Sequence, residues 1–151
     1  MHAIDLNGSW RVRWSDGQRG RPEYAERDET DDVRYLDAQV PGEIHLDLMR
    51  AGVIADPALG VNALAARWVE ECVWSYRRLF DAPATARHAR KAWLVFDRLD
   101  LAAEVVLNGK KLAAHANAFL PLRVEVTGAL RAHGNVLAVH VEGGLYHAAE
   151  K

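Results

Sequence analysis

The chain of 151 residues contains a single cysteine, Cys72, so it cannot form an internal disulfide. A lone cysteine is consistent with a reducing compartment. The apolar runs are all far too short to span a bilayer, and the residues after Met1 lack the basic and apolar regions of a signal peptide. The sequence therefore predicts a cytoplasmic protein without a membrane partner.

Neither sign of charge predominates, because the net charge is only −2, and the basic residues are scattered along the chain. A nucleic-acid-binding domain carries a basic stripe or patch, so no nucleic-acid partner is predicted. One acidic cluster stands out between positions 15 and 32, and it consists of Asp28, Glu29, Asp31 and Asp32. It lacks the regular alternation of oxygen ligands found in an EF-hand, so a solvated loop is favoured over a calcium site.

The motifs of common enzymes are missing as well. The sequence has no glycine-rich phosphate loop, no paired cysteines or histidines at metal-ligand spacing, and no nucleophile elbow. Glu70 and Glu71 are adjacent, and in an extended segment neighbouring side chains point to opposite faces. Cys72 is interpreted as a small buried apolar residue. From the residues alone we expect no catalytic residue, no cofactor and no metal, and an antiparallel β-domain that serves as a binding or scaffold module.

The region from Lys91 to Thr127 organises the rest of the chain. Asn108-Gly109 separates two strand-like segments, and this dipeptide is the strongest local signal for a type I′ hairpin. Residues 93–96 predict a short buried strand, and residues 122–127 alternate apolar and polar side chains as a half-buried strand does. Strands that follow one another without helical spacers indicate an antiparallel all-β domain.

Further strands are predicted outside this region, and one helix is predicted among them. The strands cover residues 8–14, 38–40, 74–80 and 135–141. The helix covers residues 43–51, with Ile44, Leu48 and Ala51 on its buried face. A helical turn is expected near residues 64–66, and residues 81–90 are expected to form a loop. Five tryptophans could pack a β-sandwich or stack on sugar rings, and packing is the commoner use.

Several stretches together resemble the N-terminal domain of family-two glycoside hydrolases. Residues 99–110 resemble the family's "LDtvAeVylNGk" hairpin, residues 115–122 its "HdNmFrPy" loop, and residues 124–137 its "fDVT…eNvL" segment. Residues 40–48 resemble "VPGtvhlDLl" and residues 54–57 resemble "liPDP", and both matches point to the β-mannosidase branch. Residues 68–80 resemble "WiekedWeYrrtF" of the same branch. The matches follow the family's order.

This resemblance implies an antiparallel jelly-roll β-sandwich of the galactose-binding type, with one or two short helices. It implies that residues 1–151 are one domain at the N-terminus of a retaining hydrolase for terminal β-linked mannose or a related sugar. The two catalytic glutamates of that family lie on a later (β/α)₈ barrel, which would be the partner domain. The candidates for substrate contact are Trp68, Glu70 and Asn117, and a structural role is favoured for each.

Two alternatives remain open. A free-standing carbohydrate-binding module would expose aromatic side chains on a sheet face or at a loop end. A purely structural domain would instead pack its aromatic residues and expose an apolar patch. Such a patch would mark the place where the barrel docks, because large exposed apolar patches commonly mark interaction sites.

Overall fold

In a computed structural model, the described residues are 3–15 and 35–142, and the acidic cluster at Asp28, Glu29, Asp31 and Asp32 lies outside them. The described part contains eight strands, three short α-helices and one 3₁₀-helix. Their bounds are β1 Gly8–Ser15, β2 Leu36–Val40, α1 Ile44–Arg50, α2 Asn62–Ala65, the 3₁₀-helix Arg67–Glu71, β3 Val73–Phe80, α3 Ala84–Arg87, β4 Trp93–Phe96, β5 Ala102–Leu107, β6 Lys110–Ala116, β7 Leu122–Glu125 and β8 Asn135–Glu142.

The strands form two sheets in which every pair is antiparallel. The larger sheet has the order β2-β1-β3-β8-β5-β6, and the smaller sheet pairs β4 with β7. Val12, Val105 and Val139 of the larger sheet share one buried cluster with Leu94 of the smaller sheet. The predicted antiparallel β-sandwich is confirmed. No helix within residues 3–15 and 35–142 is long and apolar enough to cross a membrane.

Buried and partly exposed residues alternate along strands of the larger sheet, and the buried ones form the core. On β5, Ala103, Val105 and Leu107 are buried while the residues between them are partly exposed, as period-two patterning requires. Leu137 and Val139 continue the same face on β8. Each such valine or leucine contributes about 1.5–3 kcal/mol by leaving water, which makes this face the main source of stability.

The predicted hairpin connects β5 to β6. Asn108 has φ 53° and Gly109 has φ 81°, the two positive values that a type I′ turn needs. Asn108 also fixes the turn against β8, because its Oδ1 accepts the Val136 N–H at 3.0 Å and its Nδ2 donates to Asn135 Oδ1 at 3.1 Å. The hairpin prediction is confirmed, and the turn is tied to a strand distant in sequence.

The predicted helix is present as α1, with Glu43 at its N-cap and Ala51 at its C-cap. Leu48 is fully buried, as expected, but Ala51 is exposed. The helix instead buries Asp47, whose Oδ1 accepts the Gln39 N–H of β2 at 3.2 Å and a hydrogen bond from the Arg50 guanidinium. A carboxylate therefore occupies the side of α1 that faces β2, because these two donors compensate part of its desolvation.

Four other local expectations differ from the structure. Residues 84–87 form a single helical turn inside the expected loop, and the number of short helices exceeds the predicted one or two. Glu70 and Glu71 lie on a 3₁₀-helix rather than in an extended segment. On β4, Trp93 and Val95 are exposed, so this strand is covered on one side only. Helix α1 packs against β2 and does not supply a second cover for β4.

Candidate functional site

One end of the larger sheet is defined by four strand ends that lie side by side. Val73 at the start of β3 pairs with Glu142 at the end of β8. Glu142 in turn pairs with Ala102 at the start of β5, which pairs with Ala116 at the end of β6. Because β8, the last described strand, ends here, we call this the exit end. The opposite end carries the Asn108-Gly109 turn and is called the hairpin end.

All three candidate residues lie at the exit end. Trp68 and Glu70 belong to the 3₁₀-helix, which ends two residues before β3 begins. Asn117 follows the last residue of β6 directly. The register of the sheet therefore places residues that are almost fifty positions apart in sequence at the same end, with β8 and β5 between the two strands that they adjoin. Whether these side chains contact a sugar stays a prediction.

Trp68 is half-buried and belongs to an aromatic cluster on the core side of the exit end. Its ring centroid lies 5.7 Å from that of Trp14 and 6.0 Å from that of Trp74. Trp14 and Trp74 face each other across the β1–β3 pair at 5.6 Å. The Trp74 indole N–H donates to the Val69 carbonyl at 3.0 Å, which anchors the 3₁₀-helix to the sheet. Tilted aromatic pairs of this kind stabilise a core by about 0.5–1.5 kcal/mol beyond area burial.

Asn117 forms the turn that follows β6. Its Oδ1 accepts the N–H of Phe119 at 2.9 Å and that of Leu120 at 3.2 Å. His115 Nε2 lies 2.7 Å from the Asn117 carbonyl oxygen and 3.1 Å from the Leu120 carbonyl oxygen. Carbonyl oxygens only accept, so the ring nitrogen carries the proton in this arrangement. The amide oxygen of Asn117 is thus engaged within its own loop, as an Asx-turn requires.

Glu70 differs from the other two candidates because its side chain is exposed. It lies on the 3₁₀-helix next to the aromatic cluster and presents a carboxylate to solvent at the exit end. Among the three candidates it is therefore the one whose polar atoms are directed to water rather than to the fold.

The strongest electrostatic perturbation lies away from the exit end. Burial raises the pKa of Tyr76, and the nearby carboxylates of Asp47 and Glu43 raise it further. Burial also raises the pKa of Asp47, and the Gln39 N–H and Arg50 act against that shift. Both groups lie where α1 meets the sheet, so they concern the docking of this helix.

A shallow cavity of about 390 Å³ opens beside α1 and the end of β2. It is lined mostly by apolar atoms and belongs to the hairpin-end side of the sheet, where Val40 pairs with Gly8. The lining residues are Gln39, Pro41, Gly42, Leu46, Met49 and Arg50. Over residues 3–15 and 35–142, the structure contains no group of three or more His, Cys, Asp or Glu side chains able to hold a metal ion.

Sequence reasoning missed His115 and a second histidine contact. His115 supports the loop through the spacing His-x-Asn, and that short motif was the available signal. Ser75 Oγ and His140 Nδ1 are 2.8 Å apart in adjacent strands β3 and β8, and both residues are buried. No local motif links these two residues, because they meet only through strand pairing.

The chain is similar to one known protein family and to beta-mannosidases. Residues 10–151 match the family model described as glycosyl hydrolase 2 galactose-binding domain-like. Beta-mannosidase B of Thermothelomyces thermophilus is 44% identical over 117 residues, and beta-mannosidase B of Emericella nidulans is 38% identical over 124 residues. The matched regions cover 78% and 82% of this chain, but only 14% and 15% of the relatives.

The chain is also similar in structure to parts of solved glycosidases. The beta-D-mannosidase of Dictyoglomus thermophilum superposes with a TM-score of 0.84 at 30% identity, over 99% of this chain and 17% of that chain. A beta-glucuronidase of Bifidobacterium dentium superposes with a TM-score of 0.63 at 28% identity, over 91% of this chain and 19% of the other. The predicted galactose-binding-like jelly-roll fold is thereby confirmed. The chain spans about one seventh of the length of the curated relatives it matches.

Proposed function

The chain belongs to the glycosyl hydrolase 2 galactose-binding domain-like family, and we propose that it is the non-catalytic N-terminal domain of a longer hydrolase. The proposed substrate of the longer enzyme is a terminal β-linked mannoside or a related sugar. The proposed role of this domain is to support the catalytic domain and to shape the rim of its pocket.

The similarity to beta-mannosidases over nearly the whole of one domain is the observation that carries this proposal. Identity of 38–44% extends over about four fifths of this chain, whereas the matched region is about one seventh of each relative. A chain of this size corresponds to one domain of such an enzyme. The rest of each relative is long enough to contain a catalytic barrel.

The adjacent carboxylates Glu70 and Glu71 are arranged in a way that supports a non-catalytic role. Retaining glycosidases use two carboxyl groups about 5–5.5 Å apart that face each other across the scissile bond. Glu70 and Glu71 are neighbours on a 3₁₀-helix, where successive side chains diverge by roughly 120° because the helix has 3.0 residues per turn. They are therefore poorly placed to act as an acid and nucleophile pair.

The exit end is the part of the domain that we propose to lie near the sugar. Trp68 and Asn117 support the shape of this end through the aromatic cluster and the Asx-turn. Glu70 is exposed there and is the proposed direct contact to a sugar hydroxyl. Hydroxyl groups donate well to a carboxylate, so this residue type suits the role.

Turnover of an aryl β-mannoside tests the proposal. The 151-residue chain should show no hydrolysis, and the longer polypeptide encoded by its gene should hydrolyse the substrate with retention of configuration. The Glu70→Gln and Glu71→Gln variants of the short chain serve as matched controls. Reproducible hydrolysis by the short chain that either variant abolishes would overturn the proposal, and so would an inactive longer polypeptide.

One observation favours a second function, carbohydrate binding by the domain itself. Trp93 is exposed on the outer face of β4, as a sugar-stacking platform would require. The Trp93 ring is partly covered, because Lys91 Nζ and the Arg123 guanidinium each lie 5.7 Å from its centroid. We therefore rank this function second.

A further inference from the structure

The two ends of the larger sheet differ in chemistry. At the hairpin end, polar side chains bind one another and the backbone. Asn135 is fully buried, its Oδ1 accepts the Arg131 N–H at 2.8 Å, and its Nδ2 donates to the Arg131 and Phe80 carbonyl oxygens. Asp81 accepts the Gly134 N–H at 2.9 Å and pairs with His133 at 3.0 Å. Around the start of β8, the polar side chains of this end are therefore held by hydrogen bonds within the domain.

The exit end, by contrast, is adjoined along the chain by two segments whose apolar side chains are strongly exposed. Five large apolar residues of these segments are between 57 and 91% exposed, and they are the five most exposed large apolar residues in the described part of the chain. They belong to two segments, 56–66 before the 3₁₀-helix and 117–121 after β6. The five residues are Leu59, Val61, Leu64, Phe119 and Leu120.

Both segments are held in place by their own hydrogen bonds. In segment 56–66, Asp56 Oδ1 accepts the Ala58 N–H at 2.9 Å, and Asn62 Nδ2 donates to the Asp56 carbonyl oxygen at 3.0 Å. In segment 117–121, Asn117 and His115 fix the backbone around Phe119. Backbone that is already ordered loses little further entropy on association, which favours docking.

The end of β8 lies between the two strands that these segments adjoin. Segment 56–66 leads into β3 and segment 117–121 follows β6, and β8 and β5 separate these two strands. Three strand spacings correspond to about 14 Å, because neighbouring strands lie about 4.7–4.9 Å apart. Glu142 at the end of β8 therefore lies between the strand that follows one exposed apolar segment and the strand that precedes the other.

We propose that the exit end is the surface on which the catalytic domain of the longer enzyme packs, with Phe119 and Leu64 inserted into apolar recesses of that domain. This inference rests on the proposed function, because it needs a longer polypeptide. The relatives supply the argument for the occupant, since about six sevenths of their length lies outside the matched region. Exposed apolar patches on ordered surfaces commonly mark interaction sites.

The outer face of the smaller sheet is a weaker docking surface. Trp93 and Val95 are exposed there, but Arg123 and Glu125 lie across from them on β7. Lys91 and Arg123 cover the Trp93 ring, and Lys91 approaches Glu125 to 3.9 Å. Charged residues are depleted at the centre of interfaces, so this face is typical of a solvated surface.

Hydroxyl-radical footprinting of side chains tests the exit end without altering the protein. The 151-residue chain and the longer polypeptide are labelled in parallel, and the reaction rates of individual leucines are compared. We expect Leu64 and Leu120 to react readily in the short chain and to fall to the rate of the buried Leu107 in the longer polypeptide. Leu79, exposed near the hairpin end, is the matched control and should keep its rate.

A second arm tests the coupling between the domains. In the longer polypeptide, Phe119→Ser should split one cooperative unfolding transition into two, whereas Leu79→Ser should leave it single. Unchanged rates of Leu64 and Leu120 in the longer polypeptide would overturn the proposal. Protection of the same leucines in the short chain that grows with its concentration would overturn it in favour of a second copy. Hydrolysis of the aryl β-mannoside is measured separately. A longer polypeptide in which Leu64 and Leu120 are protected but which does not hydrolyse the substrate would contradict the proposed function and leave the docking surface standing.

Discussion

Gly109 is the residue whose backbone most directly fixes the β5–β6 hairpin. Its φ of 81° lies in the left-handed region, and a β-carbon added there would meet no atom within 4 Å. Replacement by valine therefore adds backbone strain without crowding. We expect Gly109→Val to lower the free energy of unfolding by about 1–3 kcal/mol, measured as a shift of the urea midpoint.

The matched variant at this position is Gly109→Asn, because asparagine enters the left-handed region more readily than a β-branched residue. Its urea midpoint should lie between those of the native chain and the valine variant. An unchanged midpoint in Gly109→Val would contradict the type I′ turn as a source of stability.

Asp81 provides a residue-scale prediction of pH dependence. The hydrogen bond from His133 lowers the pKa of Asp81 from its ordinary value of 3.8, and the Gly134 N–H lowers it further. Because the folded pKa is below the unfolded one, the stabilising contribution is present above pH 3.8 and is lost as the pH falls through the folded pKa.

The measurement is a carbon-detected NMR titration of the Asp81 carboxyl group. In the native chain it should titrate below 3.8, and in His133→Ala its pKa should rise towards that value. A native Asp81 that titrates at or above 3.8 would show that the contact with His133 does not persist in solution.

Asp47 illustrates what a sequence pattern fails to show at the scale of a residue. The spacing of Ile44, Leu48 and Ala51 indicated the buried face of α1, and Leu48 is indeed fully buried. Asp47 is buried beside it because the Gln39 N–H lies on β2 within reach of its carboxylate. A pattern of apolar residues carries no information about such a donor on another element, so this contact was not predictable.

At the scale of elements, strand positions were easier to predict than strand environments. Residues 93–96 form β4 as predicted, yet Trp93 and Val95 face solvent. Four consecutive apolar residues contain no period-two signal, so the sequence does not distinguish a strand covered on both sides from one covered on a single side. The exposed side is stabilised in part by Lys91 and Arg123 over the Trp93 ring.

The loop after β6 yields a prediction about Asn117. Its Oδ1 accepts two backbone N–H groups, so Asn117→Ala removes both hydrogen bonds. We expect a loss of about 1–3 kcal/mol in the free energy of unfolding, because each hydrogen bond contributes about 0.5–1.5 kcal/mol net. Amide exchange at Phe119 and Leu120 should become faster. Asn117→Asp keeps the acceptor oxygen and should retain slow exchange.

The same pair of variants separates a structural role of Asn117 from sugar contact. Unaltered amide exchange in Asn117→Ala would argue against the Asx-turn. In the longer enzyme, an increase of KM in Asn117→Asp with slow amide exchange preserved would identify the side-chain amide as a contact to substrate.

At the scale of the whole molecule, local sequence patterns did not predict the order of the strands in the larger sheet. Among the paired strands of residues 3–15 and 35–142, β5 and β6 are joined by a two-residue turn, and their pairing was predictable for that reason. The pairings of β1 with β3 and of β3 with β8 join residues far apart along the chain. These contacts decide which loops share the exit end. The resemblance to a known family supplied the jelly-roll fold, but it did not place Trp68 and Asn117 at one end of a sheet.

The affinity of the isolated domain for sugar is the prediction that belongs to the whole molecule. Of the five tryptophans, Trp10 and Trp74 are buried and Trp14 and Trp68 pack in the core, which leaves Trp93 as the exposed one. A pocket completed by two domains loses most of its contacts when one domain is absent. We therefore expect the dissociation constant of the short chain for mannose to be millimolar or weaker, which corresponds to a binding free energy of only about −4 kcal/mol.

Chemical-shift mapping with mannose and manno-oligosaccharides measures this affinity and locates any contact. Trp93→Ala and Trp68→Ala are the informative variants, because one removes the exposed ring and the other a packed ring. Saturable micromolar binding that Trp93→Ala abolishes while the fold stays intact would identify the smaller sheet as a carbohydrate-binding platform. The same micromolar affinity lost in Trp68→Ala, with the fold again intact, would show that the exit end binds sugar tightly without a catalytic domain, and it would contradict the supporting role of this domain. Binding weaker than millimolar in both variants and in the native chain is the result that a supporting domain requires, because its apolar end is then complementary to protein rather than to sugar.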